Sequence, residues 1–196
     1  MITFREVQQG DAAMILNWRT SKRVTQFMNT DLEPDLAAQA RWIESCYTRS
    51  DYYHWIIQHE GQDVGFLCLT DLDLAARTAS WGFYIGDENA SGVGGRVPPC
   101  FYDLAFRQLG LARIDAEVFY NNTRVIDLHR LHGYRFVPQK DRVIEKHRKE
   151  ILLVALELTA ETFLGGRFAR HRAVFPVAQW QNAPAALQAQ DDAKVT

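Results

Sequence analysis

The stretch Trp81-Gly82-Phe83-Tyr84-Ile85-Gly86 is followed, after a short polar break, by Ser91-Gly92-Val93-Gly94-Gly95-Arg96 and then by Pro98-Pro99. The pattern predicts a buried strand that leads into a glycine-rich loop and a helix. Glycines let the backbone approach a phosphate closely, and the free N–H groups at a helix start offer donors to it. Proline suits the first helical turn. An ordinary strand-to-helix turn has the same pattern, so this stretch needs support from other residues.

The composition fits one globular domain that acts on a small molecule. The chain has 196 residues, of which 47% are hydrophobic and 23% charged, and single cores commonly span roughly 100–200 residues. A net charge of −2 and a pI near 6.3 argue against nucleic acid or an acidic membrane as the main partner. We therefore expect a small-molecule substrate, no nucleic-acid partner and no membrane partner.

The cysteines indicate a reducing compartment. Cys46, Cys68 and Cys100 are odd in number, widely spaced and set among apolar or aromatic neighbours. This usage is typical of buried free thiols. The first residues alternate in hydrophobicity as a strand does, and they lack the basic start and apolar core of a signal peptide. No apolar run reaches the length of a membrane span. We therefore expect a cytoplasmic protein.

The hydrophobic periodicity predicts a layered α/β (α+β) domain with a mixed sheet. The helices are expected from about Asp11, from Ser21, over 35–47, over 98–108 and over 122–131, and the strands over 1–7, 53–58, 64–70, 78–85, 113–120, 134–137 and 150–158. Glu60-Gly61 suits the turn of an antiparallel hairpin between two of these strands. Residues 161–196 change character, since arginines cluster at 167–172 and Ala, Gln and Asp dominate after Pro184. We expect a C-terminal extension that is partly disordered.

This order of elements, with three particular segments, resembles the GNAT superfamily of acetyl-CoA-dependent N-acetyltransferases over residues 1–160. The segments are the Trp81–Gly86 strand with its loop, the strand Asp115-Ala116-Glu117-Val118 that ends near Asn122, and the run from Ile126 to Phe136. The resemblance implies a three-layer fold whose mainly antiparallel sheet is flanked by helices, and acetyl-CoA as the acetyl donor.

Within that superfamily, the chain is similar to the nucleotide-sugar N-acetyltransferases of pseudaminic acid biosynthesis. Four stretches carry this likeness: Asn17-Trp18-Arg19, Arg41-Trp42-Ile43-Glu44-Ser45, Leu69-Thr70-Asp71-Leu72-Asp73 and Trp81–Gly86. The likeness implies acetylation of the 4-amino group of a UDP-linked 4-amino-4,6-dideoxy sugar for flagellin glycosylation. A homodimer is compatible with it.

The cofactor residues follow from the resemblance. They are the backbone of Phe83, Tyr84 and Ile85, the loop residues Gly92, Val93, Gly94, Gly95 and Arg96, and Asn122. The loop departs from the family pattern, which begins with Arg or Gln where Ser91 stands here. Arg96 either supplies a charge to the pyrophosphate or only caps a turn. Asn122 either orients cofactor or water, or caps the following helix.

Acetyl transfer to an amine needs a deprotonated amine and a proton for the leaving thiolate. His129 stands where the family often carries a tyrosine that reaches toward the cofactor sulfur, and a histidine has a proton to give near neutral pH. It could also be a surface residue, or pair with His132 on a metal, although no third ligand has suitable spacing and we expect no metal. Glu117 is the candidate base if its carboxylate is buried, and a solvent-facing residue otherwise.

The candidate substrate residues are Trp18, Arg19, Trp42, Thr70 and Trp81, on segments expected to line the amine side of the cleft. A guanidinium suits a diphosphate, and tryptophans suit uracil, although Trp18 and Trp42 could equally be core residues. Two other readings remain open at this point. One is a GNAT enzyme that acetylates a protein N-terminus or a lysine, and the other is a non-catalytic binding module.

Overall fold

The computed structural model describes residues 1–192, and the last four residues lie outside that range. Its centre is an eight-stranded mixed sheet in the order β1-β2-β3-β4-β5-β8-β6, with β7 also paired to β8. The strands are β1 Ile2–Glu6, β2 Tyr53–His59, β3 Gln62–Asp73, β4 Thr78–Ile85, β5 Arg113–Phe119, β6 Arg135–Phe136, β7 Arg142–Lys146 and β8 Lys149–Thr159. The α-helices are α1 Ala12–Thr20, α2 Lys22–Thr25, α3 Leu36–Cys46, α4 Val97–Tyr102, α5 Thr123–Leu131, α6 Ala160–Leu164 and α7 Ala185–Asp192.

β2, β3 and β4 form an antiparallel meander that contains the predicted hairpin. β2 pairs with β3 from Tyr53–Leu69 to His59–Gln62, and β3 pairs with β4. Glu60 and Gly61 both have positive φ in the connecting turn. The predicted hairpin is therefore confirmed, because the glycine turn joins the two apolar strands at the position that the sequence indicated.

Two apolar layers cover the two faces of the sheet. On one face, α1 and α3 pack through a small cluster that includes Ile15, Trp18 and Ile43. On the other face, α4, α5 and the C-terminal segment pack against a larger core that contains Trp55, Leu67 and Ile114. This is the three-layer arrangement, with a mainly antiparallel sheet, that the sequence and the resemblance predict.

The glycine loop is more ordered than a simple turn. Residues Glu88–Arg96 form 3₁₀ turns with a kink at Ala90, and α4 follows directly with Pro98 and Pro99 in its first turn. The helix predicted over 98–108 is α4 continued by a π-helical segment, Asp103–Gln108. A strand, a glycine loop and a helix thus follow one another as predicted.

The C-terminal half differs from expectation in two places. Strand β7 is not predicted by the sequence, and it forms a hairpin with the first half of β8. The segment expected to be partly disordered is packed in its described part: Phe175, Val177, Trp180 and Leu187 are buried in the larger core. The Trp55 indole N–H donates to the Pro176 carbonyl at 2.7 Å, so main-chain contacts also bind this segment to β2.

Candidate active site

A cleft of about 1900 Å³ runs between the helices α1–α3 and the sheet, and reaches α5 on the far side of β4 and β5. Pockets for one small ligand usually measure roughly 300–1,000 Å³. The cleft therefore has room for two ligands at once, as a transfer reaction requires.

The cleft enters the sheet where two parallel strands separate. β4 and β5 pair from Thr78–Arg113 to Ser80–Asp115, and this described pairing stops there. Beyond that point Phe83, Tyr84 and Ile85 line the cleft, as do Ala116 and Val118 of β5. Backbone groups on the open edges of separated strands can bind an extended ligand. The predicted cofactor strand thus lies where such a ligand has access to it.

The glycine loop contributes three of its five predicted residues to this cleft. Gly92, Gly94 and Gly95 line it, next to Ile85. Val93 is buried in the core, and Arg96 is exposed and lines a separate small cavity instead. The described geometry therefore does not bring Arg96 to the main cleft, and its side chain forms no capping hydrogen bond at the start of α4 either.

Trp18 does not lie in the cleft. Its side chain is buried in the α1–α3 cluster, where it lies flat against Gly86. A Cβ on Gly86 would fall 2.2 Å from Trp18 Cγ, so only glycine permits this contact. The predicted role of Trp18 in substrate binding is corrected to a role in the core.

The other candidate substrate residues line the cleft. Trp42 and Thr70 lie on its α1–α3 side, and Arg19 lies at its edge with β4. Trp81 is 8% exposed and lines the cleft between β4 and α5. It stacks on Phe101 with ring centroids 4.4 Å apart, so it contributes to the core as well as to the wall.

Two guanidinium groups lie at the junction of α1, α2 and β4. Arg19 Nη2 donates to the Thr30 carbonyl at 2.7 Å, and Arg23 Nη2 donates to the Gly86 carbonyl at 2.6 Å. Both side chains line the cleft. Arg19 Nη1 and Arg23 Nε are buried and have no hydrogen-bond partner among the described residues. Burial lowers the pKa of Arg19, and a desolvated cation of this kind is stabilised by an anionic ligand.

His129 is buried on α5 and lines the cleft. Its ring lies 4.5 Å from Tyr134 and 5.9 Å from Trp81, centroid to centroid. Burial, and then the neighbouring His132, lower the pKa of His129 to about 4. The imidazole is therefore neutral at neutral pH, whereas the sequence predicted a histidine with a proton to give near that pH.

The neutral ring has one hydrogen to place. Its Nδ1 is buried without a hydrogen-bond partner in the described chain. A buried donor without an acceptor is costlier than a buried acceptor without a donor. We therefore assign the hydrogen to Nε2, which is not among the enclosed atoms that lack a partner.

A chain of buried polar groups supports this wall from behind. Trp81 Nε1 donates to Tyr134 Oη at 2.8 Å, and Tyr102 Oη lies 3.0 Å from His132 Nδ1. The Tyr134 and Tyr102 rings are in contact, with centroids 5.9 Å apart. Because an indole N–H only donates, Tyr134 Oη is the acceptor of the bond from Trp81. This series of polar side chains could not be predicted from the sequence, because its members are up to 53 positions apart.

Glu117 is exposed, contrary to the buried carboxylate that a base would need. It lines the cleft mouth and pairs with both Arg142 Nε, at 2.7 Å, and Arg142 Nη2. A bidentate guanidinium occupies both carboxylate oxygens of this side chain. Of the two alternatives left open by the sequence, the structure matches the solvent-facing one.

Asn122 precedes α5 and lines the cleft. Its carbonyl accepts from the backbone N–H groups of Val125 and Ile126, but its side chain makes no capping bond. The side-chain amide is thus available to a ligand, in line with the first of its two predicted roles.

The histidines and cysteines have separate environments. His132 contacts Tyr102 and Phe168 rather than the neighbours of His129, and residues 1–192 contain no group of three His, Cys, Asp or Glu side chains arranged for a metal. All three cysteines are free thiols, as predicted, and burial raises the pKa of each to about 11.

Comparison with known proteins identifies the class. The profile of the acetyltransferase (GNAT) domain matches residues 1–135, and the chain belongs to this family. It is an acetyl-CoA-dependent N-acetyltransferase with the GNAT fold. Among the helices of its described residues, none is long and apolar enough to cross a membrane.

Particular relatives differ in what they acetylate. The acetyltransferase PseH of Campylobacter jejuni is 22% identical over 126 residues, which cover 64% of this chain and 78% of PseH. The spermidine N-acetyltransferase of Vibrio cholerae, solved with CoA and spermine, has a TM-score of 0.75 and 15% identity, covering 84% of this chain and 98% of that one. A structure of a mutant form of that enzyme has a TM-score of 0.71 at 14% identity, covering 83% of this chain and 98% of the mutant. Such low identity relates the solved structures to this chain in fold alone.

Proposed function

We propose that this enzyme transfers acetyl from acetyl-CoA to the 4-amino group of a UDP-linked 4-amino-4,6-dideoxy sugar, a step of pseudaminic acid biosynthesis that serves flagellin glycosylation. The similarity to PseH supports this acceptor. The observation that carries the proposal is the pair of buried guanidinium nitrogens, Arg19 Nη1 and Arg23 Nε, that lack partners in the described chain at the cleft. A sugar nucleotide brings a diphosphate, which matches two guanidinium groups that line the same cleft.

The carboxylates of the cleft argue against a polycationic acceptor such as spermidine. Asp35 accepts from the Ala38 backbone N–H, and Asp115 pairs with Lys140 and Arg113. Glu117 is held by Arg142. Most negative charges along the cleft are thus already neutralised or hydrogen-bonded, whereas Arg19 and Arg23 form no ion pair in the described chain and each keeps one buried N–H group without an acceptor. This balance favours an anionic acceptor.

The cofactor has a fitting place in the cleft. Acetyl-CoA supplies the acetyl group as a reactive thioester. We place its pantetheine arm along the open edge of β4 at Phe83, Tyr84 and Ile85, and its pyrophosphate against Gly92–Gly95. The separated strands and the glycines that line the cleft beside them support this placement. The side-chain amide of Asn122 would contact the arm from the β5 side.

His129 is proposed to act as a neutral hydrogen-bond donor. Its Nε2–H would donate to the sulfur as negative charge develops there, in the manner of a preorganised oxyanion-hole group. The proton that the thiolate finally takes comes from the attacking amine nitrogen, which loses it on becoming an amide. This balance requires no protonated histidine, in agreement with the lowered pKa of His129.

The proposal is tested by comparing acceptors. Purified protein with acetyl-CoA is offered a UDP-4-amino-4,6-dideoxy sugar, spermidine, or peptides with a free N-terminus or lysine, and released CoA thiol is measured. We expect the largest kcat/KM with the sugar nucleotide. No release above background with it, or a preference for spermidine or a peptide, would overturn the proposal.

The substitution Arg19→Ala tests the acceptor site in the same assay. The variant should raise the KM for the sugar nucleotide about 10- to 100-fold, because one charge-assisted hydrogen bond contributes roughly 1.5–3 kcal/mol. The KM for acetyl-CoA should stay unchanged. Lys22→Ala, an exposed cation on the neighbouring helix, is the matched control and should have wild-type constants.

A further inference from the structure

One face of α3 lines the acceptor side of the cleft. Asp35, Ala38, Gln39 and Trp42 recur there at helical spacing and all contribute to its wall. Asp35 caps the helix through Ala38. Gln39 and Trp42 therefore remain as the side chains of this face that can contact a ligand.

Gln39 is an unusual residue at such a position. It is 7% exposed as a residue, its side-chain amide forms no hydrogen bond within the described chain, and the amide atoms are not among those enclosed without a partner. The small accessible part of Gln39 therefore includes the amide, which can exchange its water for the hydrogen bonds of a ligand. The cleft is the space from which such a ligand would approach.

Aromatic rings continue from Gln39 toward Arg19. Trp42 lies 6.3 Å from Phe66, Phe66 stacks on Tyr84 at 5.6 Å, and Tyr84 interacts electrostatically with Arg19. The wall thus has an amide at one end, flat apolar rings along its length, and a guanidinium at the other end.

We infer that this wall is a nucleobase subsite, in which Trp42 stacks on the base and the Gln39 amide hydrogen-bonds the base edge. The inference rests on the proposed function and assigns its specificity to Gln39. A primary amide offers one acceptor and two donors in a plane, which pairs with the adjacent C=O and N–H groups of a uracil edge. Stacking on an indole adds affinity whichever base is bound.

The test uses Gln39→Leu, which keeps the volume and suits a buried site, so the variant should fold. Binding of UDP is measured by calorimetry, and turnover is measured with the UDP-linked amino sugar and with the same amino sugar 1-phosphate, which lacks uridine. We expect about tenfold weaker UDP binding and an equal rise in the KM for the UDP-sugar, with kcat unchanged. The constants for the sugar phosphate should not change. Glu44→Leu, on the exposed face of α3, is the matched control.

The outcomes separate this inference from the proposed function. If the wild type acetylates the UDP-sugar but Gln39→Leu binds UDP as tightly as the wild type does, the subsite is refuted and the function stands. If UDP binds and the variant weakens it while the amino sugar is not acetylated, the subsite stands and the acceptor is wrong. If the wild type binds no UDP and acetylates no UDP-sugar, both are overturned.

Discussion

His129 lies in the cleft as the sequence predicted, but its protonation state differs from the prediction. The alignment of its helix with the family motif put it at the cleft, and the structure puts it there too. Its protonation state could not be predicted from sequence, because it is set by Trp81 and Tyr134, which pack around the ring. A desolvated imidazole loses its charge and retains only a hydrogen-bond donor.

His129→Phe should lower kcat about 100-fold and leave the KM for acetyl-CoA within about twofold, as is typical when one preorganised donor is removed. The kcat–pH profile of the wild type should show no ionisation near 6.5 from this group, because its pKa is about 4. Steady-state kinetics checks both points, with His147→Ala as the exposed control. A wild-type rate in the phenylalanine variant would remove His129 from the mechanism.

Glu117→Gln should keep kcat within about threefold of the wild type. Its carboxylate is exposed and paired with Arg142, so the substitution removes an exposed ion pair worth roughly 0–1 kcal/mol rather than a base. The measurement is kcat with saturating substrates. A loss of 100-fold or more, with normal thermal stability, would restore the base that the sequence predicted.

At the scale of elements, the hairpin of β7 and β8 acts on the acceptor side of the cleft. Lys146 is buried and donates through Nζ to the carbonyls of Thr25 and Met28, each at 2.7 Å, and to Asp31. These contacts hold the loop whose Thr30 carbonyl receives Arg19. Through Lys146, the hairpin therefore fixes the position of a proposed binding residue.

Lys146→Met should raise the KM for the acceptor several-fold and leave the KM for acetyl-CoA unchanged, because the loop over 25–31 loses three contacts. Thermal unfolding should show a concurrent loss of stability, since buried carbonyls lose their donor. Lys149→Met changes the exposed partner of the same register pair and serves as the control. Equal effects of the two variants on acceptor KM would refute the positioning role.

The elements that sequence analysis predicted are those with a clear local signal. The hairpin from 53 to 70 combines two short apolar runs with a glycine turn, and both signals are local. β7 is short, and its turn uses His147 and Arg148 at positive φ instead of glycine. The sequence therefore contains no local signal that predicts this strand. The pairing of Glu117 with Arg142 could not be predicted for the same reason, because Arg142 lies on this strand.

At the scale of the whole molecule, three buried histidines tie stability to pH. Burial lowers the pKa of His54 to about 3 and, with smaller contributions from neighbouring charges in the last two, lowers the pKa of His129 and of His132 to about 4. Unfolded histidine titrates near 6.5. The unfolded chain therefore binds more protons between these values, and the stability they confer is complete above about pH 6.5 and falls as the pH drops below it.

Urea unfolding at pH 7.5 and pH 5.5 should show this loss, at up to about 1.4 kcal/mol per pH unit below 6.5 for each desolvated group. His54 has the most enclosed ring, in a box with Trp42, Tyr52, Phe66 and Trp180. His54→Leu should flatten the dependence by one such increment. An unchanged slope would show that His54 does not titrate on unfolding.

The segment that crosses β2 has a consequence for how the protein is made. Phe175 stacks on Phe4 at 4.2 Å, and the backbone N–H of Gln179 donates to Glu6 at 2.7 Å, so residues 173 positions apart complete one layer together. During synthesis the first strands leave the ribosome long before this cover exists. Their apolar face stays exposed until the covering segment has been translated. During this period the incomplete chain is prone to aggregate, as is typical of non-local topologies.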